Sequence, residues 1–506
     1  MSEVVWTGFL TVLKILYAAC VIILSIYGFN SLFLALLYLL SKKRGIRNRT
    51  RLSEDQDWPK VTIQLPLYNE SIIIERLLNA VTHQVYPRDR FQIQVLDDST
   101  DETTEIARSL VERYRSQGFD ITLLHRNVRL GYKAGALQEG LKSASGEFLA
   151  IFDADFVPPP SWLKTVIAEF DDPRIGCLQT RWGHLNSRYN LLTKAQTLGL
   201  DAHFVVEQGA RFASNLFMGF NGSGGIWRRE CIKAAGGWSW DTLTEDLDLS
   251  YRAQLKGWRI KYLPEIVVPG ELPAQIDAFK AQQSRWAKGS VQTLRKLGRE
   301  ILFSKHPLYI RLAGLMHLSM YMPFFIMLLI LLLTLPVALW ASSSLKLFPW
   351  TILASIGPPL LYSIGRTSHL PHLRDRLVRL PLLTILGIGI SLNIGLAVLS
   401  GLYRKGGVFH RTPKFAIQGR GGSWKESKYA LPRSGVVWGE LVLAGYAIYS
   451  TVILLPTPEG RAIVPGLLLY AIGFLFVSGM SFVQSWQQQR MRKLAARSGK
   501  QSAPVS

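Results

Sequence analysis

Long apolar runs bordered by clusters of basic residues constrain this chain more than any other feature. Residues 4–40 carry one ionic side chain, Lys14. That stretch exceeds the ~20 residues needed to cross a bilayer as a helix. Further apolar runs lie near 317–340, 347–365, 381–403, 436–455 and 463–485. The basic excess sits beside them. Lys42 to Arg51, Arg366 to Arg379, Arg404 to Arg433 and Arg490 to Lys500 together account for +21 of the formal net charge of +22. Residues 52–300, by contrast, hold 30 basic and 31 acidic side chains and are close to neutral. This is the positive-inside pattern of a membrane protein, not the continuous basic stripe of a nucleic-acid binder. No nucleic-acid partner is expected, and the membrane lipids are.

The same rule orders the runs. The first, residues 1–41, reads as one span with an interfacial extension, or as a hairpin broken near Gly28, Phe29 and Asn30. Its basic residues follow the apolar stretch, so it lacks the basic start and short core of a cleaved signal peptide, and residue 42 onward is expected in the cytosol. If all five later runs crossed, the strongly basic 404–433 loop would face outward. The 381–403 run is the weakest candidate, with Gly387, Gly389, Ser391, Asn393, Gly395, Ser400 and Gly401 in it. Reading it as an interfacial or buried helix returns every basic cluster to the cytosol. The expected organisation is a transmembrane segment at 1–41, a cytosolic domain at 52–300 ending in an interfacial helix, two spans in 308–365, interfacial helices and a loop in 366–434, two spans in 435–486 and a basic cytosolic tail at 487–506. A six-span version is the alternative. The outer connections, 341–346 and 456–462, are short and nearly neutral. Multi-pass insertion in a plasma or inner membrane follows. With 48% apolar and 19% charged residues the chain is no disordered tail. Cys20, Cys177 and Cys231 cannot all pair, show no metal-ligand spacing and read as reduced thiols.

Within the soluble part, Val61–Tyr68, Phe91–Leu96, Ile121–His125 and Phe148–Phe152 read as buried strands. Amphipathic stretches near 70–83, 101–116 and 133–144 alternate with them. That alternation predicts an α/β domain with a mostly parallel, Rossmann-like sheet, whose ligands bind beyond the carboxyl ends of the strands. Two strands run straight into acids there: Asp97 and Asp98 after one, Asp153 and Asp155 after another. In a turn, Asp153 and Asp155 can approach one hard cation, Mg2+ or Mn2+, which also neutralises a diphosphate leaving group. Read blandly, these are strand-end turn residues. Thr244, Glu245 and Asp246 open a helical pattern. Thr244 is placed to cap it, and Asp246 either favours the helix dipole or acts as a general base. Gln282, Arg285 and Trp286 fall at i, i+3 and i+4 on one helix face. Trp offers a platform for a sugar ring and Arg a fork for phosphate oxygens, or the Trp anchors an interfacial helix at the lipid boundary.

The order of these motifs resembles membrane-embedded family 2 glycosyltransferases, particularly bacterial cellulose synthase-like proteins and the plant cellulose synthase-like A and C groups. The resemblance runs from Val61 to about Lys414. It rests on QLPLYNE at 64–70, VLDDS at 95–99, GYKAG at 131–135, DAD at 153–155, TED at 244–246 and QQSRW at 282–286. It implies a GT-A fold beside an α-helical transmembrane bundle, and inversion at the anomeric carbon. By the same resemblance Tyr68, Glu70 and Asp97 hold the nucleoside of a nucleotide sugar, and Asp98 and Lys133 lie near its diphosphate. Asp153 and Asp155 form the metal-binding pair, and Asp246 is the catalytic base. Gln282, Arg285 and Trp286 hold the diphosphate and the acceptor sugar, and Phe220, Asn221, Gly222 and Ser223 lie beside the acceptor terminus. Phe409, Thr412 and Lys414 match the family's gating loop, with Arg411 where that loop often has a β-branched residue. A lipid-binding polybasic loop is the other reading of that segment.

These roles imply an inverting, processive hexosyltransferase that extends a β-linked glucan or glucomannan-like polysaccharide and passes it across the membrane. UDP-glucose is the favoured donor and GDP-mannose the alternative. Transfer of a single sugar to a membrane lipid, ceramide or diacylglycerol, uses the same donor site and is the competing activity. A non-catalytic transporter is disfavoured, because the runs after residue 311 hold almost no ionisable groups apart from Glu440. No cyclic-dinucleotide-binding domain is expected after the last run, which leaves export or regulation to partner subunits.

Overall fold

A computed structural model describes residues 3–42, 58–341, 348–409 and 411–497. The basic stretch 43–51, the connection 342–346 and the end of the tail at 498–506 lie outside the described residues.

Hydrophobic runs with β-branched residues fold into a seven-stranded sheet, ordered β3-β2-β1-β4-β6-β5-β7. The strands are β1 (Val61–Leu67), β2 (Phe91–Asp97), β3 (Ile121–His125), β4 (Phe148–Ile151), β5 (Ile175–His184), β6 (Gly225–Arg228) and β7 (Arg259–Gly270). The pairs β1–β2, β2–β3, β1–β4 and β5–β7 are parallel, and β6 runs antiparallel to both β4 and β5. The four expected strands are present and form the parallel half. The other three were not anticipated. β6 is only four residues long, and β7 contains Pro264 and Pro269, with its register against β5 shifting at Pro264, between Thr180 and Arg181. Apolar clusters on both faces bury β1 and β2 completely. Polar residues in these strands pair across the ladder. Gln64 Nε2 donates to Gln94 Oε1 at 3.0 Å and Thr62 Oγ1 to Gln92 Oε1 at 3.0 Å, which satisfies groups that are costly to bury alone.

Among the described residues, four helices are long and apolar enough to cross a membrane: Glu3–Ser41, Met322–Trp340, Val436–Leu454 and Gly460–Leu494. The first is one unbroken helix, so the hairpin alternative at Gly28 does not form. At this level another helix approaches closely, through Gly357: a Cβ there would lie 2.1 Å from the Gly28 carbonyl oxygen. Small residues at a helix crossing allow this contact between backbones. The helix containing Gly357, Phe348–Ile364, has 17 residues and two internal prolines. At 1.5 Å per residue it reaches about 25 Å, short of a ~30 Å hydrocarbon core. The expected single helix at 381–403 is two helices, Leu373–Gly389 and Ser391–Tyr403, bent by 49°. Counted as one broken span, that pair raises the number of candidate spans to 5.

One helix joins the two parts of the molecule. Ile276–Leu302 begins at the end of the sheet domain and packs against Ser391–Tyr403. Its Lys280 is buried and paired with Glu440 of Val436–Leu454 at 2.8 Å, with Ser481 at 3.3 Å. Glu440, the ionisable exception among the apolar runs, thus has a structural partner. Removing one member of a buried pair strands the other charge, at a cost of about 3–5 kcal/mol. We expect Glu440→Ala to lower the thermal unfolding midpoint in detergent, and Lys280→Met with Glu440→Leu to recover most of the loss.

Candidate active site

The carboxyl ends of β1, β2 and β4 deliver their following residues to one edge, where a cavity of ≈ 150 Å³ opens. After β1, Tyr68 and Glu70 line it. Asn69 between them adopts φ 54° and ties this turn to the next one: its Oδ1 accepts from Thr100 N at 2.8 Å, and its N–H donates to Ser99 Oγ at 2.8 Å. After β2, the paired aspartates part. Asp98 lines the cavity and takes a two-pronged bond from Arg126, at 2.7 and 2.6 Å. Asp97 is fully buried outside the cavity wall. It accepts from Ser99 N at 3.0 Å and Thr104 Oγ1 at 2.7 Å, with His125 Nδ1 at 2.8 Å. Here it fastens the strand ends and does not face the space a nucleoside would enter.

After β4, Asp153 and Asp155 both line the cavity, each beside a lysine. Lys133 Nζ lies 2.5 Å from Asp153 Oδ1 and donates to Gly222 O at 2.8 Å. Burial alone would depress the Lys133 pKa, but Asp153, Glu245 and Asp246 outweigh it and raise the value. Lys414 Nζ lies 2.8 Å from Asp155 Oδ2, which also accepts from Glu271 N at 3.0 Å. Arg411 Nη1 lies 3.0 Å from Glu70 Oε1. Burial still pushes Glu70 up to about 6, with Asp155 and Asp153 adding to the shift against the pull of Arg411.

Asp246 sits in the first turn of the helix Glu245–Leu255, where its Oδ1 accepts from Leu247 N at 2.7 Å. Burial, then the neighbouring Glu245 charge, raise its pKa to about 7, while Lys133 and the Leu247 N–H oppose the rise. Thr244 holds the N-cap position, but its side chain makes no cap bond. It turns to Thr293 of Ile276–Leu302 at 3.4 Å instead, because that helix packs so closely that a Cβ on Gly289 would lie 2.5 Å from Thr244 Cγ2. The expected Thr cap is therefore replaced by interhelical packing. Gln282, Arg285 and Trp286, on one face of Ile276–Leu302, all line the cavity. Trp286 thus faces the site and is not a lipid anchor.

Asn221 and Gly222 line the cavity, whereas Phe220 and Ser223 are buried behind its wall. Phe220 packs edge-on against Trp227 at 5.7 Å, and Ser223 Oγ accepts from Asp153 N at 3.0 Å. Phe409, Arg411, Thr412 and Lys414 close the remaining side. Phe409 stacks on Tyr132 at 5.8 Å and lies 4.3 Å below the Arg285 guanidinium. Thr412 lines the cavity with a buried hydroxyl that has no hydrogen-bond partner among the described residues.

Residues 59–289 match the family model described as glycosyltransferase like family 2. The chain carries a family 2 glycosyltransferase domain. Among curated proteins, the chain is 42% identical over 254 residues to glucomannan 4-beta-mannosyltransferase 2 of Arabidopsis thaliana, covering 49% of this chain and 48% of that one. It is 40% identical over 273 residues to glucomannan 4-beta-mannosyltransferase 1 of Cyamopsis tetragonoloba, covering 52% and 51%. The chain spans about half the length of the curated relatives it matches. Among solved structures, a mannosyltransferase from Pyrobaculum calidifontis in complex with GDP-Man and Mn2+ aligns at 22% identity with TM-score 0.48, over 76% of this chain and 99% of that one.

Several cavity residues of the glycosyltransferase domain were not anticipated. Arg129, with its guanidinium 3.4 Å over the Tyr68 ring, lies in the loop after β3, and the strand-end rule extended by one strand finds it. Glu271 follows β7, a strand the sequence pattern did not reveal.

Gly222 has φ +83°, and a Cβ there would lie 2.7 Å from Asp246 Oδ2. We expect Gly222→Ala to displace that carboxylate and lower glycosyl transfer by at least ~10-fold, since misplacement of a reacting group by about 1 Å is enough for such a loss. Titration with nucleoside diphosphate, unchanged in the variant, separates this from general unfolding.

Proposed function

We propose that the protein is an inverting hexosyltransferase that moves mannose from a nucleotide sugar onto a β-linked polysaccharide acceptor. The carrying observation is Asp246, a carboxylate raised to about 7 at the wall of a cavity shared with Asp153, Asp155, Arg285 and Trp286. The relatives named as glucomannan 4-beta-mannosyltransferases favour mannose. The donor reading therefore moves from UDP-glucose to GDP-mannose, the alternative within the cellulose synthase-like group.

Asp246 takes the proton of an acceptor hydroxyl. That oxygen forms the new bond to the anomeric carbon, and the bond to the diphosphate breaks with its electron pair leaving on the diphosphate oxygen. Configuration inverts because attack and departure lie on opposite faces, and a single base suffices. Arg285 faces the departing charge, and Trp286 gives the sugar ring a flat apolar wall. Tyr68 and Arg129 supply the stacking surface for the nucleobase.

Asp153 and Asp155 suit a hard divalent cation in their oxygen donors. Among the described residues no group of three or more acidic, His or Cys side chains could hold an ion. Held by Asp153 and Asp155, such an ion would supply neutralising charge to a departing diphosphate. Lys133 and Lys414 balance the two carboxylates here.

Bound nucleotide sugars require more room than ≈ 150 Å³, since ligand pockets run to about 300–1,000 Å³. Arg411 and Lys414 fill part of the space. The 409–414 loop must shift for donor entry, which supports its reading as a gate, and the Thr412 hydroxyl without a partner suits a phosphate oxygen. The flanking basic clusters favour a cytosolic catalytic domain, with the product passed outward through the apolar helices.

Purified protein reconstituted in bilayers and offered GDP-mannose and UDP-glucose tests this reading by free nucleotide released and product mass. A long mannan or glucomannan is the expected product, whereas one sugar on a lipid would overturn the polymer assignment. Asp246→Asn is expected to keep donor binding and lose ~10²–10⁴-fold in turnover. Because Asp246 works deprotonated, kcat is expected to fall about tenfold per pH unit below its pKa of about 7. EDTA is expected to stop transfer, and Mg2+ or Mn2+ to restore it.

A further inference from the structure

Beside the cavity wall at Asn221 lies a polar pair that the mechanism above does not use. The helix Leu191–Ala202 runs into a π-helical turn, His203–Gln208, before returning to α geometry at Gly209–Ala213. Such turns are rare and concentrate at functional sites. This one places His203 and Glu207 side by side, with Nδ1 2.8 Å from Glu207 Oε2. The other ring nitrogen, Nε2, lies 3.2 Å from Asn221 Oδ1. Neither His203 nor Glu207 lines the cavity, but Asn221 does, and it adjoins Gly222, the backbone point that presses on Asp246.

Asn221 is held at both backbone and side chain. Its backbone N–H donates to Gln179 Oε1 at 2.8 Å, its side-chain Oδ1 meets His203, and its Nδ2 reaches only the distant Gly219 O at 3.4 Å. The amide N–H2 is the end with bonding capacity left for a sugar hydroxyl. Glu207 prevents the imidazole from rotating away, and the imidazole prevents the amide from doing so. Burial alone would raise the Glu207 pKa, but the His203 hydrogen bond and charge, with Arg211 behind them, hold it below the usual value. A partly buried polar pair is a costly way to fill space, since an apolar pair would pack there without desolvating hydrogen-bonding groups.

We propose that His203, held by Glu207, is a positioning residue that presents the Asn221 amide to a hydroxyl of the acceptor sugar beside Asp246. This rests on the glycosyl-transfer reading above, and it adds a determinant of acceptor binding separate from the donor site.

The test uses the full chain in bilayers, with GDP-mannose as donor and β-1,4-mannohexaose as the acceptor probe. His203→Ala is expected to raise acceptor KM about tenfold while donor KM moves less than about twofold, the signature of lost binding on one side only. Asn221→Ala should do the same, and the double variant should be no worse than either single one, because one residue acts through the other. Glu207→Gln retains an oxygen for Nδ1 and should recover most of the acceptor affinity lost in Glu207→Ala. If His203→Ala does not fold, His203→Gln is measured in its place against the same Asn221→Ala background. The proposal is overturned if donor and acceptor KM rise together, or if the His203 effect is undiminished in that background. A wild-type protein that will not extend the hexasaccharide strikes the proposed function instead, and the same cycle is then read with the donor and acceptor pair that does turn over.

Discussion

Carboxylates crowd one edge of the sheet so densely that they cannot share it without cations brought from elsewhere in the chain. Glu70, Asp98, Asp153, Asp155, Glu245, Asp246 and Glu271 all border the same cavity. Their balance comes from segments far apart in sequence: Arg126 and Lys133 from around β3, and Arg411 and Lys414 from the loop beyond the apolar helices. Breaking a buried pair is costly. The arrangement therefore does two things at once. It draws the 409–414 loop onto the domain, and it keeps Asp246 and Glu70 short of full compensation, where burial and neighbouring acids raise their proton affinity.

Much of this edge was legible before any coordinates, and the reason is local. A buried parallel strand writes an apolar run, and the residues that follow it are the ones that reach the ligand edge. That logic found Asp98, Asp153 and Asp155. It could not separate Asp97 from Asp98, because adjacent residues in a turn diverge, and only the positions of Thr104 and His125 decide which one is buried. Helical spacing correctly grouped Gln282, Arg285 and Trp286. Thr244 followed the N-cap rule in position but not in bonding, since the nearness of Gly289 is a tertiary fact. The strands β5, β6 and β7 escaped notice because prolines, glycines and shortness erase the pattern. Glu271 was hidden with them.

The apolar half was readable from charge more than from hydropathy. Basic clusters ordered the runs and singled out 381–403 as unlike the others, and the structure bends that region by 49°. What composition could not supply was length in space. The described helix Phe348–Ile364 carries two prolines and has 17 residues. Gly28 gave a false hint of a break, because a single glycine in a long apolar run does not by itself end a helix.

The helix Ile276–Leu302 holds Lys280 in the bundle and Arg285 at the cavity, about 7.5 Å apart along a continuous axis. No glycine or proline lies between them to serve as a joint. Because this segment is continuous helix, a tilt of the bundle around Lys280 would be carried to Arg285. Packing among the apolar helices and the placement of a cavity side chain are thereby joined through one helix.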